Sequence, residues 1–283
     1  MKIAIFSLLL VVVLLLGLVL LFRYQLQNHR QPLPIHRVFP VADSVRNAMI
    51  IFAHPDDEIA VAGVLAQMKQ SGWRVAGIYL TAGEAGKTGG LVPASQLAAT
   101  RKEELQAAAK ILGLQSVEVL DFPDGKLQVV PPDTVKKVLL EAIERHCPQL
   151  IISFDDRVGL YGHPDHVYTG RIVLELCQQY ADTAHFPVQQ LYCPTLTDGM
   201  IALARRISQT FRKNYPKEVG RGLPPPNFGV CISPQGKDKW RAIRAHRTQK
   251  HVFDDVFPLH DRISPQLYFQ LFAEEYYALL WKR

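Results

Sequence analysis

Between residues 48 and 192 the chain alternates short apolar runs with amphipathic stretches, and this alternation most constrains its fold. Runs at 48–52, 73–81, 117–122, 150–154 and 189–192 read as buried strands. Residues 59–70, 95–112, 132–147 and 164–180 have helical spacing, with Leu97, Leu105, Ala108 and Leu112 on one face. Gly72 and Gly113 supply stops, and Pro132 and Asp133 suit a first turn. The pattern predicts an α/β fold: a Rossmann-like parallel sheet with helices on both faces. Ligands of such sheets bind beyond the carboxyl ends of the strands. The loops after Phe52, Thr81 and Phe154 are therefore expected to open on one edge.

Two of those loops carry unusual chemistry. The first reads Ala53-His54-Pro55-Asp56-Asp57-Glu58 and joins a strand to a helix. Carboxylates so close together are costly to bury unless something positive sits among them. A divalent metal is the simplest such partner, with one imidazole and one carboxylate as ligands. The second reads Tyr161-Gly162-His163-Pro164-Asp165-His166, again between a strand and a helix. A mononuclear catalytic zinc needs about three protein ligands and an open position. His54, Asp57 and one of His163 or His166 would supply them. Asp56 is then free as a general base, and the other histidine can stabilise charge on an attacked carbonyl. Asp165 could orient a histidine from behind. Helix capping alone explains one acid per motif, not three beside a histidine.

The N-terminus differs in kind. Residues 3–22 hold no charge, and twenty residues at 1.5 Å each span ~30 Å, enough for a bilayer core. No small-x-small cleavage site follows the run, so residues 1–22 read as an uncleaved transmembrane anchor. Residues 23–46, with Pro32, Pro34 and Pro40, read as a juxtamembrane linker, and 47–283 as the catalytic domain. Arg23, Arg30 and Arg37 against Lys2 lean towards a cytoplasmic face for that domain. Cys147, Cys177, Cys193 and Cys231 lack CxxC spacing and read as free thiols. The formal charge of +6 comes without a basic tract interleaved with aromatics, which argues against nucleic acid as a partner.

Towards the C-terminus, residues 195–227 read as a helix and a long irregular loop, a candidate lid or substrate-specificity segment. Residues 229–232 read as an edge strand, 235–249 as a helix and 264–281 as an aromatic-rich terminal helix. His29, His36, His146, His185, His251 and His260 read as surface residues.

The motifs resemble those of the PIG-L/LmbE-like deacetylases. They are Ala53 to Glu58 and Gly162 to Val167, with lesser echoes at Arg101-x-x-Glu104, Leu112-Gly113 and His246-Arg247-Thr248-Gln249. The resemblance covers residues 47–249. It implies a Zn2+-dependent hydrolase that removes an N-acetyl group from an N-acetylglucosamine-containing glycolipid or glycoconjugate, other divalent metals being possible. It implies zinc ligands His54, Asp57 and His166, with Asp56 as base. His163 would assist at the tetrahedral intermediate, supported by Asp165. Tyr161 and Arg101 would lie on the substrate side. The apolar N-terminus resembles that of the eukaryotic glycolipid deacetylase, whose catalytic part faces the cytosol. Two rival readings keep the same residues: a glycolipid-binding pseudoenzyme, and a metal amidohydrolase acting on a non-sugar amide.

Overall fold

The computed structural model describes residues 2–29, 32–218 and 220–283. Helix α1 (Lys2–Leu26) precedes strand β1 (Ile35–His36). Then follow β2 (Asn47–Phe52), α2 (Ala62–Gln70), β3 (Arg74–Tyr79), α3 (Leu97–Leu112), β4 (Ser116–Val119), α4 (Pro132–His146) and β5 (Leu150–Ser153). The turn α5 (Gly159–Gly162) leads into α6 (Pro164–Gln179) and β6 (Gln190–Thr195). The remainder comprises α7 (Asp198–Ile207), α8 (Gln209–Asn214), β7 (Phe228–Cys231), α9 (Gly236–Ala245), α10 (Lys250–Val256), α11 (Pro265–Leu271) and β8 (Glu274–Lys282).

The strands form one sheet in the order β1-β7-β8-β6-β5-β2-β3-β4. The predicted parallel core is present: β2 lies between β3 and β5, both parallel to it, and is almost wholly buried. Helices α2, α3 and α9 cover one face, and α4 and α6 the other. The chain runs outward from β2 through β3 to β4, then crosses back through α4 to β5 on the other side of β2. Strands β2 and β5 therefore flank the point where the winding reverses, where such sheets open a crevice at their carboxyl ends.

The sheet is mixed rather than purely parallel, because β8 pairs antiparallel with both β6 and β7. The expected terminal helix over 264–281 is in fact α11 followed by β8. Helix α11 stops at Phe272, and the next residues, rich in Tyr, Leu and Trp, suit a half-buried strand better than a continued helix. The slot between β6 and β7 supplies both sets of backbone partners. The expected helix over 235–249 likewise ends at Ala245, and His246 leaves helical geometry with φ −84° and ψ 66°. The 195–227 segment holds two helices, α7 and α8, where one was expected. His260 is buried rather than on the surface.

The N-terminal expectation needs correction. Residues 2–26 form one helix, but much of the apolar run falls outside the residues whose side chains are described. Among the described residues no helix is long and apolar enough to cross a membrane. That finding overturns the expected single-pass localisation with a cytoplasmic catalytic face. What the structure shows instead is protein contact at the end of α1. Leu26 is buried, Arg23 pairs with Glu274 at 2.7 Å and Gln27 donates to the same carboxylate at 3.1 Å. Phe22 packs edge-on against Phe272, and the Thr197 hydroxyl donates to the Leu26 carbonyl.

Candidate active site

The loop after β2 brings His54, Asp56 and Asp57 to the sheet edge, and the loop after β5 brings Tyr161, His163, Asp165 and His166. The reversal of winding makes these loops neighbours, so residues more than a hundred positions apart meet. His54 Nδ1 lies 3.4 Å from Asp57 Oδ2 and 3.3 Å from His166 Nε2, which is 3.1 Å from Asp57 Oδ1. Ligands about 2.0–2.1 Å from one tetrahedral zinc stand roughly 3.3 Å apart, and these pair distances are of that size, with Asp57 facing His54 and His166 through different oxygens.

The nitrogens facing away from that trio are tied down. His166 Nδ1 is 3.0 Å from the Gly159 carbonyl, which directs Nε2 towards the trio. Gly159 has φ +59°, and a Cβ there would meet the His166 Cβ at 2.5 Å, so glycine is needed on both counts. His54 Nε2 faces Asp124 at 3.0 Å and Asp165 at 3.2 Å. His54, Asp124 and Asp165 form a group close enough to hold a metal, as do His54, His163 and His166. The first of these is better read as hydrogen-bonded support. Asp165 already accepts from the backbone N–H groups of Gly125 and Leu127 and from Gln128 Nε2, and Asp124 from that of Ala85. A carboxylate so fully engaged orients an imidazole well and has little left for an ion.

The electrostatics follow from this crowding. Burial opposes charge on Asp57, but His166 and His54 outweigh it and hold its carboxyl far below the usual range. Burial likewise opposes charge on His54, yet Asp57, Asp124 and Asp165 hold its pKa well above the ordinary value. These opposed shifts are the two sides of one buried ion pair between Asp57 and His54. Burial raises Asp56 to about 6, against the pull of Arg101. Burial, then the neighbouring His166 and His54, lowers His163 to about 4 and keeps it neutral.

Two expected roles meet different surroundings. Arg101 is buried and faces Asp56 Oδ2 at 3.1 Å, while also donating to the Pro55 and Gly83 carbonyls. It grips the first motif rather than open space. Gly83 has φ +71°, and a Cβ there would collide with the guanidinium. The Asp165 carboxylate contacts His54; only its backbone N–H meets His163, at Nδ1 and 3.2 Å. Tyr161 stands edge-on to His166 and His163 and lines the cleft.

Sequence reasoning missed Asp124, a single acid in an ordinary-looking Phe-Pro-Asp-Gly turn. Of the other wall of the cleft it singled out only the 195–227 segment, not Val256 or Phe272. Asp56, Asp57, Tyr161 and His166 line a cavity of about 200 Å³ whose remaining lining is mostly apolar. That lining includes Met200, Leu203 and Ile207 from α7, Phe211 from α8, Val256 from α10 and Phe272 after α11.

The sequence profile of the PIG-L family, described as GlcNAc-PI de-N-acetylase, matches residues 49–177. The chain is 29% identical over 208 residues to a probable N-acetyl-alpha-D-glucosaminyl L-malate deacetylase 2 of Bacillus anthracis, covering 72% of this chain and 81% of the relative. It is 27% identical over 281 residues to a 1D-myo-inositol 2-acetamido-2-deoxy-alpha-D-glucopyranoside deacetylase of Thermomonospora curvata, covering 85% and 92%. The N,N′-diacetylchitobiose deacetylase structure from Pyrococcus horikoshii shares the fold, with a TM-score of 0.60 at 21% identity over 83% of this chain and 84% of that one. Residues 49–177 thus carry a PIG-L (LmbE-like) deacetylase family domain, and the matched relatives are named as deacetylases of N-acetylglucosamine derivatives.

Proposed function

We propose that this enzyme removes the acetyl group from an N-acetylglucosamine-containing glycolipid or a glycoconjugate with a similarly apolar aglycone. The observation that carries the choice of aglycone is the cleft itself. It is lined by Asp56, Asp57, Tyr161 and His166 together with a largely apolar set that includes Met200, Leu203, Ile207, Phe211, Val256 and Phe272. A sugar bound with its acetamide at the polar groups would extend its aglycone along that apolar set, where burying each methylene is worth ~0.8 kcal/mol. The relatives named as acting on N-acetylglucosamine-derived compounds support the sugar.

His54, Asp57 and His166 would hold the metal, zinc on the family's pattern. Such an ion would supply Lewis acidity for the acetamide carbonyl and lower the pKa of a bound water. Asp56, on the cleft side of that trio, takes the proton from the water as its oxygen bonds to the acetyl carbon. It then returns the proton to the nitrogen as the C–N bond breaks, releasing acetate and a free amine. His163 Nδ1 accepts the Asp165 backbone N–H, so the neutral ring carries its proton on Nε2 and can donate to the oxyanion. Arg101 holds the Asp56 carboxylate in place.

The test is acetate release by the zinc-loaded protein from three substrates: an alkyl N-acetylglucosaminide with a long chain, free N-acetylglucosamine and an N-acetylated non-sugar amine. The alkyl glycoside should have the highest kcat/KM. Equal rates on all three would remove the apolar aglycone. Release from none, with one metal bound per chain, would favour a binding protein without turnover.

A further inference from the structure

We infer that Glu58 and His246 form a buried positioning pair for Asp56, an inference that rests on reading Asp56 as the base. Asp56 has φ 115° and ψ −17°, a left-handed backbone that a non-glycine residue adopts only when its surroundings hold it there. Two elements hold it from two sides. Arg101 contacts its carboxylate, and Glu58 Oε2 accepts its backbone N–H at 3.1 Å. Glu58 also accepts from the Tyr79 hydroxyl at 3.2 Å, and its Oε1 lies 2.6 Å from His246 Nε2. Glu58, Tyr79 and His246 are all fully buried.

A carboxylate with no solvent exposure is a poor choice for a helix-terminal charge, since removing it from water costs several kcal/mol unless every lone pair is engaged. Here the engagement is specific. The side chain folds back onto the residue two positions before it, and its partner comes from 188 residues downstream. That partner reaches the site only because α9 ends at Ala245 and the chain turns inward. The turn is itself pinned. Thr248 donates to Glu104 through its backbone N–H at 2.9 Å and its hydroxyl at 2.6 Å, and Glu104 lies one turn beyond Arg101 on α3. The two faint motifs, Arg101-x-x-Glu104 and His246 to Gln249, are therefore halves of one clamp. Arg101 and His246 each act on the Asp56 loop, and Glu104 ties their supports together. His246 touches neither the cleft nor the candidate metal ligands, so its role is geometric.

The test uses the zinc-loaded full chain with an alkyl N-acetylglucosaminide, comparing His246→Ala, His246→Gln, Asp56→Asn and the Asp56→Asn/His246→Ala double variant. Metal content is measured on the same samples. His246→Ala should lower kcat roughly 10–10²-fold, the scale of a misplaced catalytic group, with KM and bound metal unchanged. His246→Gln, whose amide can still donate to Glu58, should recover most of the loss. The double variant should be no slower than Asp56→Asn alone, because residues acting as a unit are not additive. If His246→Ala fails to fold, Tyr79→Phe removes a donor to the same carboxylate without a cavity and should show the same split between kcat and KM. Asp56→Asn impaired with both His246→Ala and His246→Gln at wild-type kcat overturns the positioning role alone. So does a double variant whose loss is the product of the single losses. Asp56→Asn at wild-type kcat overturns the base assignment itself.

Discussion

The two walls of the cleft are built on opposite terms. The wall from the β2 and β5 loops is polar, and nearly every side-chain atom in it has a named partner: His54 with Asp165 and Asp124, His166 with the Gly159 carbonyl, Asp56 with Arg101. The facing wall, from α7, α8, α10 and α11, is apolar and held by packing. Losing one partner in the first strands a buried charge or misplaces a reacting group, so damage is large and unshared. Losing one side chain in the second removes a patch of contact that its neighbours partly cover. In the proposed reaction the chemistry would be fixed by one wall, and preference among aglycones would be open to tuning by the other.

The largest contrast should come from the proposed ligands. His54→Ala or Asp57→Ala is expected to lose both bound metal and acetate release, with metal analysis and turnover falling together. Next is the base: Asp56→Asn should cost roughly 10²–10⁴-fold in kcat with metal retained. On the apolar wall, Phe211→Ala or Leu203→Ala should lower kcat/KM for the alkyl glycoside by about 10–200-fold at most, through KM. Turnover of free N-acetylglucosamine should be unaffected. A fall for both substrates alike would mean that the apolar wall shapes the reaction centre, and the contrast between walls would fail.

The smallest effect concerns how the apolar wall is anchored. Burial opposes charge on Asp255, but the Ser208 hydroxyl and the Thr210 and Gln209 backbone N–H groups outweigh it and hold its carboxyl below the usual range. Those contacts pin the start of α8. Because the folded pKa is depressed, this anchor is complete above the unfolded value near ~3.9 and is lost as pH falls through the folded one. Asp255 is partly exposed and solvent screens it, so Asp255→Asn should cost no more than about 0.5–1 kcal/mol at neutral pH, read by urea denaturation, and progressively less in acid. An equal loss at pH 7 and below pH 3 would contradict the assignment.

What the sequence disclosed follows the same division. The β2 and β5 motifs were legible because each is local: an apolar strand, a turn carrying His and Asp, and a helix. Their meeting followed from the expected sheet edge. The sites of Asp124 and His246 were not legible, since each owes its position to a partner far along the chain, His54 or Glu58. Arg101 could be placed near the site but not aimed, because only the folded loop shows that Gly83 and Pro55 turn it towards Asp56. β8 was misread because its aromatics continue those of α11, and only the vacant slot between β6 and β7 decides for a strand. The apolar wall was legible only as a candidate segment at 195–227, not as a surface, for a related reason. Its side chains come from four helices with no shared motif, brought together by packing alone.

The proposed proton transfer by Asp56 takes place beside a metal held by His54, Asp57 and His166. Its most direct test is acetate release by Asp56→Asn, with metal per chain measured on the same sample. The expected result is wild-type metal content and a kcat lowered roughly 10²–10⁴-fold. Wild-type turnover by that variant would contradict it.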